Sequence, residues 1–420
     1  MDTTTRSFIL VLNLKSSMGY DLDMIIVQVE TWVKNINKVA PNLIENYILT
    51  TYLESKNGFY MKNNVFTTMN DLISYLNGVV ISSGLSDQPT LAAINSAQSF
   101  TYLMRPMSNV HVFADSPSSD DTSNSLYISS NTTELQLIQR TLSWRNKIII
   151  VLSETKERPL DTFGDEYDVF KRVVRATHGD LLLIRKTEIE NVINKLFPYF
   201  YQMENIAVRY QTMNMTLESV LIKADSLTQP VNILVNVDQE QILPSITDTN
   251  NTLTEVIKGE YFALYRTFMN RTSEINISTI SDVNIRIWIN SAHTGYLAYS
   301  ANPEIDVGSA VTISELPSYI TGYVTGFTDI KRFSQSTLNL LGYTIEQEIS
   351  AEIRSSECTF SYQFPPRPTC TPGPFVQTIC QILDDTFVYI APGFVLGGLE
   401  LTVIGINPTD ENSPKILDRI

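Results

Sequence analysis

Between residues 7 and 201 the apolar positions alternate between two textures. Phe8 to Leu12 is an unbroken apolar run, the pattern of a strand covered on both faces. It gives way to a stretch from Met18 to about Lys38 in which Leu22, Ile25, Ile26, Val29 and Trp32 recur at helical spacing. The exchange repeats down the chain. Strands are predicted at 47–52, 110–115, 147–152 and 180–184, and helices at 67–76, 90–102, 134–144, 167–176 and 187–201. Strands alternating with helices specify a doubly wound α/β sheet with helices on both faces.

From about residue 205 helical periodicity fades, and short β-branched or aromatic runs replace it, such as 231–237, 283–289 and 400–404. In the second of these, Val283, Ile285, Ile287 and Ile289 share one face while Asn284, Arg286 and Trp288 share the other. That alternation predicts a half-buried antiparallel strand, the unit of a sandwich. Residues 364–374 are Pro-rich and read as a surface loop, since proline cannot donate to a ladder. A chain of 420 residues also exceeds one ordinary core. The expected architecture is multidomain: an α/β domain over 1–203, then two all-β sandwich modules over 204–303 and 304–420, the second with the Pro/Cys-rich insertion.

The formal net charge of −15 excludes a nucleic-acid partner, because tracking phosphates needs clustered Lys and Arg. No apolar run is long enough for a transmembrane helix, and no signal peptide is visible, since Phe8–Leu12 reads as a buried strand. Charged residues make up only 18% of the chain, and Ser, Thr and Asn take their place, a surface that suits a secreted protein. Sequons at Asn131, Asn214, Asn250, Asn270 and Asn276 are candidate glycosylation sites and lean the same way. Cys358, Cys370 and Cys380 match no zinc spacing and allow one local disulfide or none.

Enzymatic chemistry finds little to work with. There is no Gly-x-Ser-x-Gly elbow and no phosphate-cradling Gly-rich motif. His111 lies mid-strand, His178 in a helix-ending turn and His293 in a polar loop, none beside a nucleophile. The acidic run 118–121 reads as a solvated loop. The chain is expected not to be an enzyme.

In an open α/β sheet, ligands bind outside the carboxyl ends of the strands. The first strand ends in Asn13, Leu14, Lys15, Ser16, Ser17 and Met18. Here the chain resembles the von Willebrand factor A domain, which carries Asp-x-Ser/Thr-x-Ser at this point, and more closely the N-terminal region of the hemicentins. The resemblance implies a metal-ion-dependent adhesion site holding Mg2+, with oxygens from this loop, a second loop and an Asp after a later strand. Ser17, Met18 and Asp115 match that pattern, and Asp87 or Thr90 would supply the second loop. Asn13 stands where the family has Asp, and Lys15 where it has the first hydroxyl. Like charges ~4 Å apart repel by about 4 kcal/mol at an intermediate dielectric, so Lys15 opposes a cation there. The favoured reading is a degenerate, metal-free site, with Lys15 pairing with Asp115 or Asp87. The likeness continues through 147–155, 167–180, 283–300 and 390–405. It implies a non-enzymatic extracellular matrix or cell-surface adhesion protein with a protein partner and no cofactor, Mg2+ being disfavoured. The alternative is a structural protein that self-associates on the same scaffold.

Overall fold

The computed structural model describes residues 5–100, 103–120 and most of 133–201, and beyond them chiefly the strands between 204 and 390, with side chains only as far as Trp288. Two compact units divide the chain, Met1–Gln202 with Gly259–Phe262, and Met203–Lys258 with Ala263–Ile420.

The first unit is built on a six-stranded sheet. Its strands are β1 (Arg6–Asn13), β2 (Ile44–Ser55), β3 (Gly58–Phe66), β4 (Asn109–Ala114), β5 (Lys147–Ser153) and β6 (Asp180–Ile184), in the order β3-β2-β1-β4-β5-β6. All neighbours pair in parallel except β2 and β3, which form an antiparallel hairpin at one edge. The helices are α1 (Gly19–Val39), α2 (Met69–Leu76), α3 (Thr90–Ala97), α4 (Thr133–Ser143) and α5 (Asp168–Ala176). The predicted last helix is real but irregular: one α turn, α6 (Ile189–Asn191), continues as a π turn over Val192–Leu196 and a 3-10 segment over Phe197–Tyr201. Among the described residues no helix is long and apolar enough to cross a membrane.

The apolar runs are covered as their texture predicts. Phe8, Ile9, Leu10 and Val11 are all fully buried, and so are Ile148, Ile149 and Ile150. The apolar stripe of α1 brings Ile25, Val29 and Trp32 onto the sheet, where Trp32 meets Phe8, His111 and Phe197 at ring separations of 4.6, 4.6 and 4.9 Å. His111 is a core residue: its Nε2 lies 2.8 Å from the Tyr201 hydroxyl, and burial pushes its imidazole down to about 3. Gly179 has a reason beyond ending a helix, because a Cβ there would lie 1.7 Å from the Ile148 carbonyl oxygen on β5. Edge strand β3 was not legible in the pattern: it is largely exposed and carries too few buried positions to show a period.

The second unit is antiparallel sheet throughout its described part. Strands β7 (Glu204–Gln211), β8 (Glu218–Lys223), β9 (Pro230–Val237), β10 (Ser245–Asp248), β11 (Thr254–Lys258), β12 (Phe262–Phe268), β13 (Thr272–Ser278) and β14 (Val283–Ile289) form sheets of order β10-β13-β8 and β11-β12-β9-β14-β7. Two further sheets follow. Their strands are β15 (Thr294–Ser300), β16 (Ser318–Thr325), β17 (Phe333–Leu338), β18 (Thr344–Ile349), β19 (Glu352–Ile353), β20 (Thr359–Phe364), β21 (Gln377–Ile382) and β22 (Val388–Ile390). Their orders are β15-β16-β20-β19 and β18-β17-β21-β22. The chain is thus a doubly wound α/β domain followed by two small antiparallel β modules.

One expectation needs correcting here. Strand β14 is not half-buried: Arg286 and Trp288 are as covered as Ile285 and Ile287. It lies between β9 and β7 inside a five-stranded sheet, and both of its faces are covered, so alternation in the sequence did not mean an exposed face. Of the sequons, Asn276 is half-buried on β13, the middle strand of its sheet. Asn131, Asn214, Asn250 and Asn270 lie outside the described residues, as do Cys358, Cys370, His178, His293 and the Pro-rich segment after Phe364.

Candidate functional site

Strand register sets the stage. Asn13 pairs with Tyr52, Leu12 with Phe113, Ala114 with Leu152, and Ser153 with Ile184. Asp115 directly follows Ala114 and therefore lies at the carboxyl end of the sheet. Loops from β1, β4 and β6 open onto this edge, along with the segment between α2 and α3.

At the centre, polar side chains are buried and make few bonds. Asp115 is fully buried, and neither of its carboxylate oxygens accepts a hydrogen bond from any described residue. The hydroxyls of Ser17 and Ser116 are also buried without a described partner. Asn13 uses Oδ1 to accept from the Lys15 backbone N–H at 3.0 Å, and its buried Nδ2 donates to no described group. Asp21, in the first turn of α1, is fully buried and holds Lys186 through Oδ2, leaving Oδ1 unsatisfied. The same Lys186 ammonium donates to Ser153 Oγ at 3.1 Å. Burial pushes the Asp21 carboxyl up to about 6 against the pull of Lys186, and the Asp115 charge adds to the rise.

Beside this lies the entry to α3, where almost every polar group is matched. Gln88 is fully buried and donates through Nε2 to the Glu54 and Leu85 carbonyls at 3.0 and 2.9 Å. Its Oε1 accepts from the Glu54 N–H at 2.8 Å. The helix begins after Pro89, which offers no side-chain cap. Asp120 supplies one from another loop, accepting from the Leu91 and Ala92 N–H groups at 3.3 and 2.6 Å. The acidic run is therefore not simply a solvated loop, since Asp120 is bound to the start of a helix whose free N–H groups attract a carboxylate. Thr90 Oγ1 lies 2.9 Å from the buried Tyr52 hydroxyl. Burial raises the Tyr52 phenol pKa far above its ordinary value, and Asp115 contributes to that rise.

The expected Lys15 pairing is overturned. The Lys15 ammonium donates to the Ser86 carbonyl at 3.3 Å, while Asp87 pairs with Arg158 at 2.9 Å. Two backbone bonds, Ser16 N–H to Ser82 O and Ser82 N–H to Leu14 O, clamp the loop. Its backbone is extended at Lys15, so the buried side chain of Leu14 and that of Lys15 point to opposite sides. Of the six sequence-derived candidates, Asn13, Ser17 and Asp115 thus lie at the ends of neighbouring strands. Lys15 is on the rim, and Asp87 and Thr90 belong to the α3 entry.

An Mg2+ ion, which the A-domain resemblance implies, does not fit this donor set. Asp115, Ser17 and Ser116 offer hard oxygens. The free end of Asn13, however, is an amide donor, Thr90 is engaged with Tyr52, and Asp87 is held by Arg158. The Lys186 ammonium already sits on Asp21. Among the described residues no three His, Cys, Asp or Glu side chains gather into a metal-holding group.

Sequence reasoning missed Asp21, Gln88, Asp120, Ser153 and Lys186. Asp21 carried a signal: it falls three residues after Met18 and four before Ile25, on the apolar stripe of α1, where a charge is out of place. The others are reached only through the fold. An apolar rim borders the edge: Tyr20 is 47% exposed in the first turn of α1, Val80 78%, and Leu85, whose N–H donates to Glu54 O, 36%.

No protein-family model matches the sequence, and no curated protein does. Solved structures resemble the fold weakly. A von Willebrand factor type A protein from Catenulispora acidiphila is 9% identical with a TM-score of 0.34, over 76% of this chain and 62% of its own. The SpRpn10 VWA domain is 12% identical with a TM-score of 0.31, over 45% of this chain and 94% of its own. The pilus adhesin SpaC from Lactobacillus rhamnosus GG is 9% identical with a TM-score of 0.35, over 91% of this chain and 52% of its own. This chain thus spans less than two thirds of the Catenulispora protein and about half of the adhesin. The similarity is to proteins with von Willebrand A domains and to adhesins, and it concerns the fold.

Proposed function

We infer that this chain is a non-enzymatic protein-binding module of the extracellular matrix or cell surface, similar to the hemicentin N-terminal region, which recognises its partner without a metal. The observation that carries this reading is the mouth at the carboxyl end of the α/β sheet. Asp115, Ser17, Ser116 and the amide of Asn13 are buried there with hydrogen-bonding capacity unspent within the described residues. Such groups are costly to leave unmatched, and they collect where a protein meets something else. The rim of Tyr20, Val80 and Leu85 supplies the apolar contact around a polar centre that interfaces use.

Adhesion of the purified chain to matrix-coated surfaces tests this, with and without chelator and with Tyr20→Arg/Leu85→Arg on the rim. Adhesion that survives chelator and is lost in the rim variant is expected. Adhesion abolished by chelator, or indifferent to the rim, contradicts the reading.

A second reading is self-association as a structural protein, and it rests on β3. Among the described residues this edge strand pairs only with β2, and it exposes Phe59 and Tyr60 at 50% and 45%. An open edge with exposed aromatics invites strand addition from another copy. Chelator-insensitive growth in light scattering with concentration, removed by Tyr60→Lys, favours it.

A further inference from the structure

Strand β3 carries almost none of the devices that close the edge of a sheet. It is 9 residues long, contains no proline, and runs from Gly58 to Phe66 against β2 without a bulge. Its one charge is Lys62, whose ammonium is drawn over the Tyr75 ring on α2, 5.0 Å from the centroid. Phe66 meets the same ring at 5.5 Å, so by alternation Tyr60, Lys62, Asn64 and Phe66 share the α2 face. On the other face Asn63 is anchored through both ends of its amide. It accepts from Thr50 Oγ1 at 2.7 Å and donates to Ser96 Oγ on α3 at 2.6 Å. Asn64, by contrast, has a buried Nδ2 that donates to no described group.

An open edge accepts any strand, and the side chains of β3 narrow the choice to its own copy. Opposed residues of an antiparallel ladder direct their N–H and C=O groups alike. A strand paired with its copy about a two-fold therefore puts one residue opposite itself. Centred on Lys62, the ladder is longest, but it sets two ammonium groups face to face and Tyr60 against Asn64. Centred on Met61, it sets Tyr60 against Lys62 and leaves Val65 and Phe66 with nothing opposite. Centred on Asn63, it sets Tyr60 against Phe66, Met61 against Val65 and Lys62 against Asn64, and moves the two lysines to a diagonal. Apolar then meets apolar on both faces, and each ammonium meets a side-chain carbonyl.

We propose that β3 pairs antiparallel with β3 of a second copy of this chain about a two-fold at Asn63, joining the two six-stranded sheets into one. This rests on the self-association reading and commits it to one partner and one register. Each pairing uses up both β3 edges, so assembly along this edge closes at two copies.

Sedimentation equilibrium of the full chain measures the dimer constant of the native protein, Asn64→Lys, Asn64→Asp and the exchanged variant Lys62→Asp/Asn64→Lys. Lys62 is exposed and Asn64 half-buried, and circular dichroism reports folding of each variant. The expected result is a native dimer, weakened roughly tenfold by Asn64→Lys and tightened roughly tenfold by Asn64→Asp, because each dimer contains the pair twice. The exchanged variant restores opposite charges and recovers at least the native constant. A ladder centred on Lys62 would instead set two aspartates face to face. Dimerisation that Asn64→Lys leaves unchanged, or that the exchange fails to restore, overturns the two-fold at Asn63 while self-association itself stands. A native chain that is monomeric at every concentration ends both, and leaves the edge to a strand of another protein. If a lysine variant does not fold, Asn64→Asp decides: a tighter dimer supports the register, and an unchanged or weaker one refutes it.

Discussion

Gln88 and Asp115 are both fully buried polar side chains at the same end of the same sheet, and they are treated in opposite ways. Gln88 spends its amide on three backbone bonds, two of which tie the α3 entry to Glu54 on β2. Asp115 accepts no hydrogen bond from a described residue. Around Gln88, Asp120 caps a helix that Pro89 cannot, and Arg158 holds Asp87. Around Asp115, Ser17 and Ser116 are equally unspent. The first half is architecture, where each polar group stabilises the fold it sits in. The second half leaves buried polar groups unmatched among the described residues, the groups on which the proposed binding reading rests. The same class of substitution should therefore have opposite signs in the two halves.

The largest effect is expected at Gln88. Gln88→Ala removes three bonds and leaves the Glu54 N–H without its acceptor, costing about 3 kcal/mol, while the Glu54 carbonyl keeps the Leu85 N–H. Urea unfolding should show a lower midpoint with the slope unchanged. A loss under about 1 kcal/mol would mean that the α3 entry is not held by its hydrogen bonds.

Next comes acid. His111 is neutral and its folded pKa lies well below the ordinary histidine value, so its unfolded form takes up the proton first and stability falls as pH drops from about 6.5 towards 3. Asp21 works the other way. Its folded pKa is raised to about 6, so it contributes stability at low pH that is lost as pH rises through about 4 to 6. Asp21 faces Lys186 and Asp115, and His111 faces Tyr201, so the two sit in separate environments. Between pH 4 and 6 their contributions oppose. In Asp21→Asn that opposing contribution is gone, and stability should fall on acidification by about 1.4 kcal/mol per pH unit relative to the native chain. Denaturation midpoints at pH 4, 5 and 6 read this out, and parallel curves for the two proteins would deny Asp21 its raised pKa.

Both effects bear on what could be read beforehand. The sheet was legible because its strands are covered on both faces, so runs such as 147–152 admit no other period. Asn13, Ser17 and Asp115 were legible through the resemblance to the A-domain loop pattern, with Asn13 at the end of β1 and Asp115 directly after β4. The partners were not. Lys186 meets Asp21 across 165 positions, and Asp120 meets Ala92 across 28, contacts that exist only once helices are laid on the sheet. Lys15 misled because its charge was read without its direction. Its ammonium reaches the Ser86 carbonyl, and the neighbouring Asp87 is already taken by Arg158.

Asp115→Asn tests the mouth directly. Replacing a fully buried carboxyl that accepts no described hydrogen bond by a neutral side chain of the same shape should stabilise the chain by about 1–2 kcal/mol, the reverse of Gln88→Ala. Adhesion should weaken at the same time, the exchange of stability for binding expected of a functional site. A destabilised Asp115→Asn protein would place Asp115 with Gln88 among the structural groups, and the contrast between the halves would disappear.

The smallest effect marks the border between the two halves. Lys15→Ala keeps the backbone N–H that Asn13 accepts from, and loses only a 3.3 Å contact to the Ser86 carbonyl on a half-exposed rim. The expected cost is within about 0.5 kcal/mol, the range of surface substitutions that break no buried bond. Thermal unfolding in low and high salt checks it, and the difference should not depend on salt, because Lys15 is not the counter-ion of a described carboxylate. A loss above about 1.5 kcal/mol that shrinks with salt would show Lys15 neutralising Asp115 in solution. Asp115 would then no longer be the unmatched centre on which the contrast with Gln88 depends.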